Sequence, residues 1–245
     1  IMLYYILENR HQQGLLAKNS VMIDTIVTSD LGKEIAYKYD LTNISVLTGF
    51  KYIGALIEEF RKTKDYQFEF GYEESLGFLA HTHVEDKDAI SSSLIIVELI
   101  NHYASLDKSL LDVLKDIYDE FGYYQNAAMS INLDAKSSKE KIALIKSYFN
   151  NAQLSEIARL KIVKKYDFET GKIYEGKKVV GQTNLELTDC LKLVLEDGSW
   201  IAIRPSGTEP KLKFYLASKD QSVLKAQEKL TRFEAFINEA IDQLT

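Results

Sequence analysis

Apolar positions along the chain follow two rhythms that succeed one another. Leu3, Ile6 and Leu7 recur at helical spacing and predict an opening helix, after which residues 21–27 (VMIDTIV) predict a strand. That strand runs into Thr28, Ser29 and Asp30, whose side chains suit the cap of a helix over residues 31–39. The same order returns: a short buried strand over 44–47, a turn at Thr48 and Gly49, and a helical stripe of Phe50, Ile53, Leu56, Ile57 and Phe60. It appears a third time. Residues 66–72 set Phe68, Phe70 and Tyr72 against Gln67 and Glu69, then give way to Glu73, Glu74 and Ser75, and a further helix is expected to begin near Asp86–Lys87–Asp88. Strands alternating with helices predict βαβ units with helices on both sheet faces, and in such sheets ligands bind outside the carboxyl ends of the strands. Three polar turns, at residues 28–30, 48–49 and 72–75, are therefore expected along one edge.

A capping box, Ser109 with Asp112, opens a helix over residues 109–121, and Gly122 stops it, so a first domain is expected over residues 1–122. The second domain, residues 123–245, reads as a strand around 127–133, a helix behind a second capping box (Ser137 with Glu140), and an alternating strand within 158–166. A polar, glycine-punctuated stretch over 169–181 follows, then two strands, 199–203 and 211–218, flanking a loop. The last helix places Val223, Ala226, Leu230, Phe233, Ile237, Ala240 and Leu244 on one stripe, which reads as core packing. The expected fold class is α/β: a mixed βαβ sandwich followed by a smaller α+β domain.

Composition narrows the function classes. A net charge of −6 over 245 residues, with no long basic run, argues against a nucleic-acid backbone or an anionic membrane as partner. The single cysteine, Cys190, excludes an intramolecular disulfide and any multi-cysteine metal site. The apolar runs are too short to span a bilayer, so the expectation is a soluble, cytoplasmic protein. His81 and His83 lack a supporting cluster and predict no metal site, and Asp86 and Asp88 read as a helix start. The chain opens inside a helical pattern without a cap, which is expected of a carboxyl-terminal piece of a longer polypeptide.

Only one loop concentrates unusual chemistry. Both prolines of the chain, Pro205 and Pro210, lie in the segment IRPSGTEPKLKF, residues 203–214, and restrict its shape. Arg204 offers a planar fork of donors suited to two phosphate oxygens, Ser206 and Thr208 add hydroxyls, and Gly207 lets backbone N–H groups approach closely. These are the parts of a phosphate cradle. Neither the Walker pattern nor the dinucleotide glycine pattern is present.

The string Arg204-Pro-Ser-Gly-Thr-Glu-Pro-Lys211 closely resembles the phosphate-binding loop in the last domain of the α-D-phosphohexomutases, the phosphoglucomutase and phosphomannomutase superfamily. Other segments resemble the same family in the same order: Thr48-Gly-Phe-Lys51 its threonine-glycine turn, Gly71-Tyr-Glu-Glu-Ser75 its sugar-reading loop, and His83-Val-Glu-Asp-Lys87-Asp88 the segment after it. The resemblance covers essentially the whole chain, as the third and fourth domains of a four-domain enzyme, and implies a TBP-like last domain.

In that family a phosphoserine donates its phosphoryl group to a hexose monophosphate, and the bisphosphate intermediate, glucose 1,6-bisphosphate for a glucose enzyme, turns around and returns its other phosphate. The resemblance implies that Glu73 and Ser75, with Thr48 and Gly49 beside them, read the sugar. It implies that Arg204, Ser206, Gly207 and Thr208 grip the phosphate not being transferred, and that Lys87 and His83 are candidates for proton transfer. No serine of this chain is followed by histidine, and no aspartate-glycine-aspartate series occurs. The phosphoserine and the Mg2+ ligands of the family are thus expected outside this chain, on missing domains 1 and 2 that would be its partners. The chain alone is then expected to bind hexose phosphates without turning them over. Glu-Glu-Ser and Thr-Gly-Phe-Lys resemble the glucose-preferring branch, while Tyr72 stands where many members have glycine. A phosphomannomutase, a phosphopentomutase and a non-catalytic sugar-phosphate-binding module are the alternatives.

Overall fold

The computed structural model describes residues 1–134, 137–207 and 209–244. The chain divides into two compact units of near-equal length, residues 1–122 and 123–245.

The first unit holds α1 (Met2–Gln12), β1 (Ser20–Thr25), α2 (Leu31–Lys38), β2 (Thr42–Val46), α3 (Phe50–Thr63), β3 (Gln67–Glu73), β4 (Gly77–Leu79), α4 (Ala89–Ser105) and α5 (Leu110–Phe121). Its sheet runs β2-β1-β3-β4, with β1 parallel to both β2 and β3 and with β4 folded back antiparallel. Buried strands in a parallel sheet need cover on both faces. One face packs Met22, Phe70, Ile35, Leu99 and Ile117 with α1, α2, α4 and α5; the other packs Val21, Ile23, Phe68 and Leu79 against Ile53 and Ile57 of α3.

Phe68 and Phe70 lie in different clusters, whereas the sequence alternation sets them on one face. The cause is a bulge. Val21 pairs with Phe68 and Met22 with Phe70, which leaves Glu69 as an extra residue, and one extra residue exchanges the faces of everything beyond it. Glu69, expected on a polar face, is instead fully buried, held by Arg10, by the Ser20 hydroxyl at 2.6 Å and by the Gln67 amide at 3.0 Å.

Two expected helix caps also differ. Asp30 precedes α2 but makes no side-chain cap bond, and its carboxylate pairs with Lys33 at 2.6 Å. Ser137 precedes α6 (Ser138–Asn150) in a helical conformation, which turns its hydroxyl away from the orphan N–H groups; no side-chain cap bond forms. The Ser109–Asp112 capping box is present.

The second unit adds β5 (Tyr123–Asn132), α6, β6 (Glu156–Ile157), β7 (Leu160–Asp167), β8 (Lys172–Glu175), β9 (Lys178–Gln182), β10 (Leu191–Leu195), β11 (Trp200–Pro205), β12 (Lys211–Asp220) and α7 (Val223–Leu244). The main sheet order is β5-β12-β11-β10-β7-β8-β9, all neighbours antiparallel. Leu193, Ile201, Ile203, Phe214 and Leu216 meet Phe149 of α6 and Phe233 and Ile237 of α7 in one core. The stretch over 169–181 is largely the β8–β9 hairpin. Its residues are mostly exposed, so no apolar alternation announces it, and backbone pairing is its main tie to the sheet.

A buried lysine locks α7 to this sheet. Lys229 Nζ, on a residue 6 % exposed, donates to Asp197 at 2.6 Å and the Lys219 carbonyl at 2.6 Å and lies 3.0 Å from Asp220. The Gln221 N–H and then Lys229 hold the Asp220 carboxyl below the ordinary carboxylate range. A carboxyl depressed in the folded state stabilises at pH above its unfolded value, and that contribution disappears as the pH falls through the folded value. Acid titration followed by circular dichroism should therefore show a stability loss below about pH 4 that Asp220→Asn removes.

Candidate functional site

The three polar turns share the carboxyl edge of the first sheet, because β1, β2 and β3 are parallel. Val46 ends β2, and Thr48 and Gly49 lead into α3 with Gly49 at φ 121, a backbone conformation that only glycine adopts freely. The Gly49 N–H points at the end of β3 and donates to Glu73 Oε1 at 2.8 Å. Glu73 is 8 % exposed, so a neighbouring strand end supplies the acceptor for an orphan amide at the start of α3. An anion at this end of the helix also meets a favourable dipole.

Residues 74–76 form the turn between β3 and β4, with Glu73 opposite Gly77 across the hairpin. Ser75 is exposed on this turn. Gly77 leaves room for the Lys87 side chain: a Cβ there would lie 2.5 Å from Lys87 Cδ, which would have to shift, and 3.3 Å from Glu73 Oε2. The Lys87 stem thus crosses the hairpin beside the free oxygen of Glu73. Its ammonium bonds Asp86 at 2.7 Å and sits 5.1 Å from the centre of the Phe50 ring.

Residues 81–87, which carry Lys87 and His83, are exposed. The His83 ring stacks on His81 at 5.6 Å, which places it on the same segment as Lys87 while its ring contact is with His81. Two ties fix the segment to α3. Arg61 donates to Glu85 at 2.6 Å and to the Thr82 carbonyl at 2.8 Å, and Gly54 meets the Glu85 carbonyl so closely that a Cβ would lie 2.2 Å from it. Replacing Gly54 by Ala improves helix propensity by about 1 kcal/mol, but forcing a methyl onto a backbone carbonyl costs roughly 1–3 kcal/mol or more. The expected net result is destabilisation of about 1–2 kcal/mol in a urea unfolding curve, with shifted amide resonances over residues 82–87.

The other sequence-predicted cluster lies in the second unit, at the β11–β12 loop. The loop is closed by the Ser206 N–H donating to the Lys211 carbonyl at 2.8 Å, and Ser206 is half-buried. Gly207 is exposed, with open space where a side chain would stand. Thr208 lies outside the described residues. Arg204, half-buried on β11, pairs directly with Lys213 on β12. Like charges directly opposite one another are unfavourable, so an anion bound at this pair relieves a repulsion that the fold builds in. Lys213 was not singled out from sequence; the alternation of residues 211–218 puts it on the face opposite Leu212 and Phe214, and the β11–β12 register sets it across from Arg204. Beside Arg204, burial pushes the Cys190 thiol up to about 12, and the arginine charge offsets only part of that shift. Cys190 is therefore a neutral packing residue.

Phosphoglucomutase/phosphomannomutase alpha/beta/alpha domain III matches residues 1–121, and the C-terminal domain of the same family matches residues 139–232. The chain belongs to the phosphoglucomutase/phosphomannomutase family. The phosphoglucomutase of Staphylococcus aureus strain MSSA476 is 35 % identical over 216 residues, and that of Staphylococcus saprophyticus is 34 % identical over 224. These matches cover 87 % and 90 % of this chain but only 38 % and 40 % of the relatives, so the chain spans about two fifths of their length. The fold of the open form of Paramecium parafusin, a phosphoglucomutase, aligns over 100 % of this chain and 41 % of its own at 19 % identity, TM-score 0.65. An N-acetylglucosamine-phosphate mutase of the α-D-phosphohexomutase superfamily aligns over 98 % of this chain and 42 % of its own at 12 % identity, TM-score 0.51. Among the described residues no group of three or more histidine, cysteine, aspartate or glutamate side chains is arranged to hold a metal ion.

Proposed function

We propose that this chain is the substrate-recognition half of a phosphoglucomutase, an enzyme that interconverts glucose 1-phosphate and glucose 6-phosphate through glucose 1,6-bisphosphate. One observation carries the reading: Gly49, Glu73 and Lys87, from three separate family motifs, converge on one sheet edge with Glu73 Oε1 bound by the Gly49 N–H and Oε2 beside Gly77 and the Lys87 stem. Glu73 Oε2 and the Ser75 hydroxyl are the acceptor and donor for sugar hydroxyls, and such a pair accepts a ring presented in either orientation. Lys87, freed from Asp86, is the group positioned to hold or move a proton at the reacting hydroxyl, with His83 on the same segment.

The Arg204 loop grips the phosphate that stays in place. Arg204 supplies the bidentate fork, Lys213 a second cation, and Ser206, Gly207 and Thr208 the hydroxyl and backbone donors. Holding that phosphate fixes the position of the one being transferred. Among the described residues no cluster of donors suits Mg2+, so the magnesium of a complete enzyme would belong to the part of the relatives' length that this sequence does not span. No step of recognition passes through it. That part would also supply the phosphoryl donor, which makes this chain alone a binder without turnover, acting where sugar phosphates are made and used, in the cytoplasm.

Calorimetric titration with glucose 1-phosphate, with mannose 1-phosphate as competitor, tests the reading. Saturable binding that favours the glucose ester is expected. Equal or tighter binding of the mannose ester would move the assignment to a phosphomannomutase, and a folded chain that binds neither would overturn the recognition role.

A further inference from the structure

Glu74 stands between Glu73 and Ser75, the two residues that read the sugar in the proposed function, and is bound elsewhere. Its Oε2 accepts from the Thr25 hydroxyl at 3.1 Å, across to the last residue of β1. Thr25 Oγ1 lies 2.8 Å from Thr28 Oγ1, and the Thr25 N–H donates to Thr28 Oγ1 at 3.2 Å. A hydroxyl has one proton to donate. Thr25 gives its proton to a carboxylate that can only accept, so Thr28 must donate to Thr25, and the chain has one direction: Thr28 to Thr25 to Glu74. Both threonines are buried, at 0 % and 1 % exposure, and the Thr28 N–H closes the turn on the Thr25 carbonyl at 3.0 Å. The anchor is thus held by bonds of its own, independent of Glu74.

The turn needs an anchor. Leu76, the last residue of the turn, adopts a left-handed conformation at φ 63 and is 82 % exposed, so little packing compensates for the backbone. A non-glycine residue persists in such a conformation only where its surroundings hold it. The hairpin is held from two sides, by Gly49 on Glu73 and by Thr25 on Glu74.

We propose that Thr25 and Glu74 are positioning residues: the Thr28–Thr25–Glu74 chain straps the β3–β4 turn to the end of β1 and holds Glu73 Oε2 and Ser75 in the orientation that reads the sugar. The strap rests on the proposed function for its purpose but not for its existence. A threonine hydroxyl recognises a carboxylate or an amide oxygen alike, so Glu74→Gln preserves the strap, whereas Glu74→Ala and the isosteric Thr25→Val remove it.

Heteronuclear 15N relaxation and amide exchange of residues 74–77 measure the strap, and titration of the same samples with glucose 1-phosphate measures its purpose. Thr25→Val and Glu74→Ala should each speed exchange of the Gly77 amide about tenfold and weaken sugar-phosphate binding by a similar factor, with the melting of α3 and α4 unchanged. Glu74→Gln should behave as the parent. An equally ordered turn in Thr25→Val and Glu74→Ala overturns the strap, and a loosened turn with undiminished affinity overturns its positioning role. If the parent chain binds no sugar phosphate, the proposed function and the positioning role fail together, while the relaxation data still decide whether the strap exists.

Discussion

Arg204→Ala is expected to weaken glucose 1-phosphate binding about 10- to 150-fold, the equivalent of losing roughly 1.5–3 kcal/mol of charge-assisted hydrogen bonding. The expectation follows from the pairing of Arg204 with Lys213 across β11 and β12. Two cations on one face of a ladder repel each other in the free protein, and a phosphate between them converts that repulsion into attraction. Removing Lys213 should cost less, because a lysine offers a point charge where arginine offers two parallel donors. Arg204→Lys should fall between the parent and the alanine variant. Stability should hold or rise slightly in Arg204→Ala, since a like-charge contact is relieved. Titration beside thermal melting checks both parts, and unchanged affinity would remove this loop from the proposed site.

Glu73→Ala is expected to lower stability and affinity together. The carboxylate is 8 % exposed and accepts the Gly49 N–H at the start of α3, so its loss leaves a helix-terminal amide without its acceptor at a cost of about 1–2 kcal/mol. Loss of Oε2 as a sugar acceptor should weaken glucose 1-phosphate binding by a further factor of about 10 or more. Glu73→Gln separates the two effects. An amide oxygen still accepts from Gly49, so most of the stability should return, while the loss of charge leaves sugar binding impaired. Urea unfolding followed by titration tests this, and a Glu73→Gln variant that binds as the parent does would show that the negative charge has no part in recognition.

Much of the first unit was legible because short apolar strands alternate with helices such as α3, whose buried residues lie on one stripe. Parallel order followed from alternation of element types, and parallel order alone brings the ends of β1, β2 and β3 to one edge. Thr48, Gly49, Glu73 and Ser75 could thus be gathered before any coordinates. The second unit was legible in part. Leu191, Leu193 and Leu195 alternate and mark β10, which the sequence reading leaves unassigned, whereas the exposed β8–β9 hairpin carries no such mark. The caps expected at Asp30 and Ser137 failed because a cap depends on the backbone angles of the residue as well as on its type.

The chain's own residues determined its family, its candidate motifs and much of the order of its elements, since these reside in residue type and local spacing. Tertiary structure decided which faces those residues occupy. The bulge at Glu69 sends Phe68 to α3 and Phe70 to the opposite core, and beyond it Gly71 faces Ile53 of α3 while Glu73 reaches Gly49. No local pattern announces a bulge, because it arises from the register that β1 and β3 adopt when both cores fill at once. The Thr25–Glu74 contact, the Arg204–Lys213 pairing and the close approach of Gly54 to Glu85 have the same origin: each joins residues distant in sequence or in separate elements, and only packing fixes how near they come.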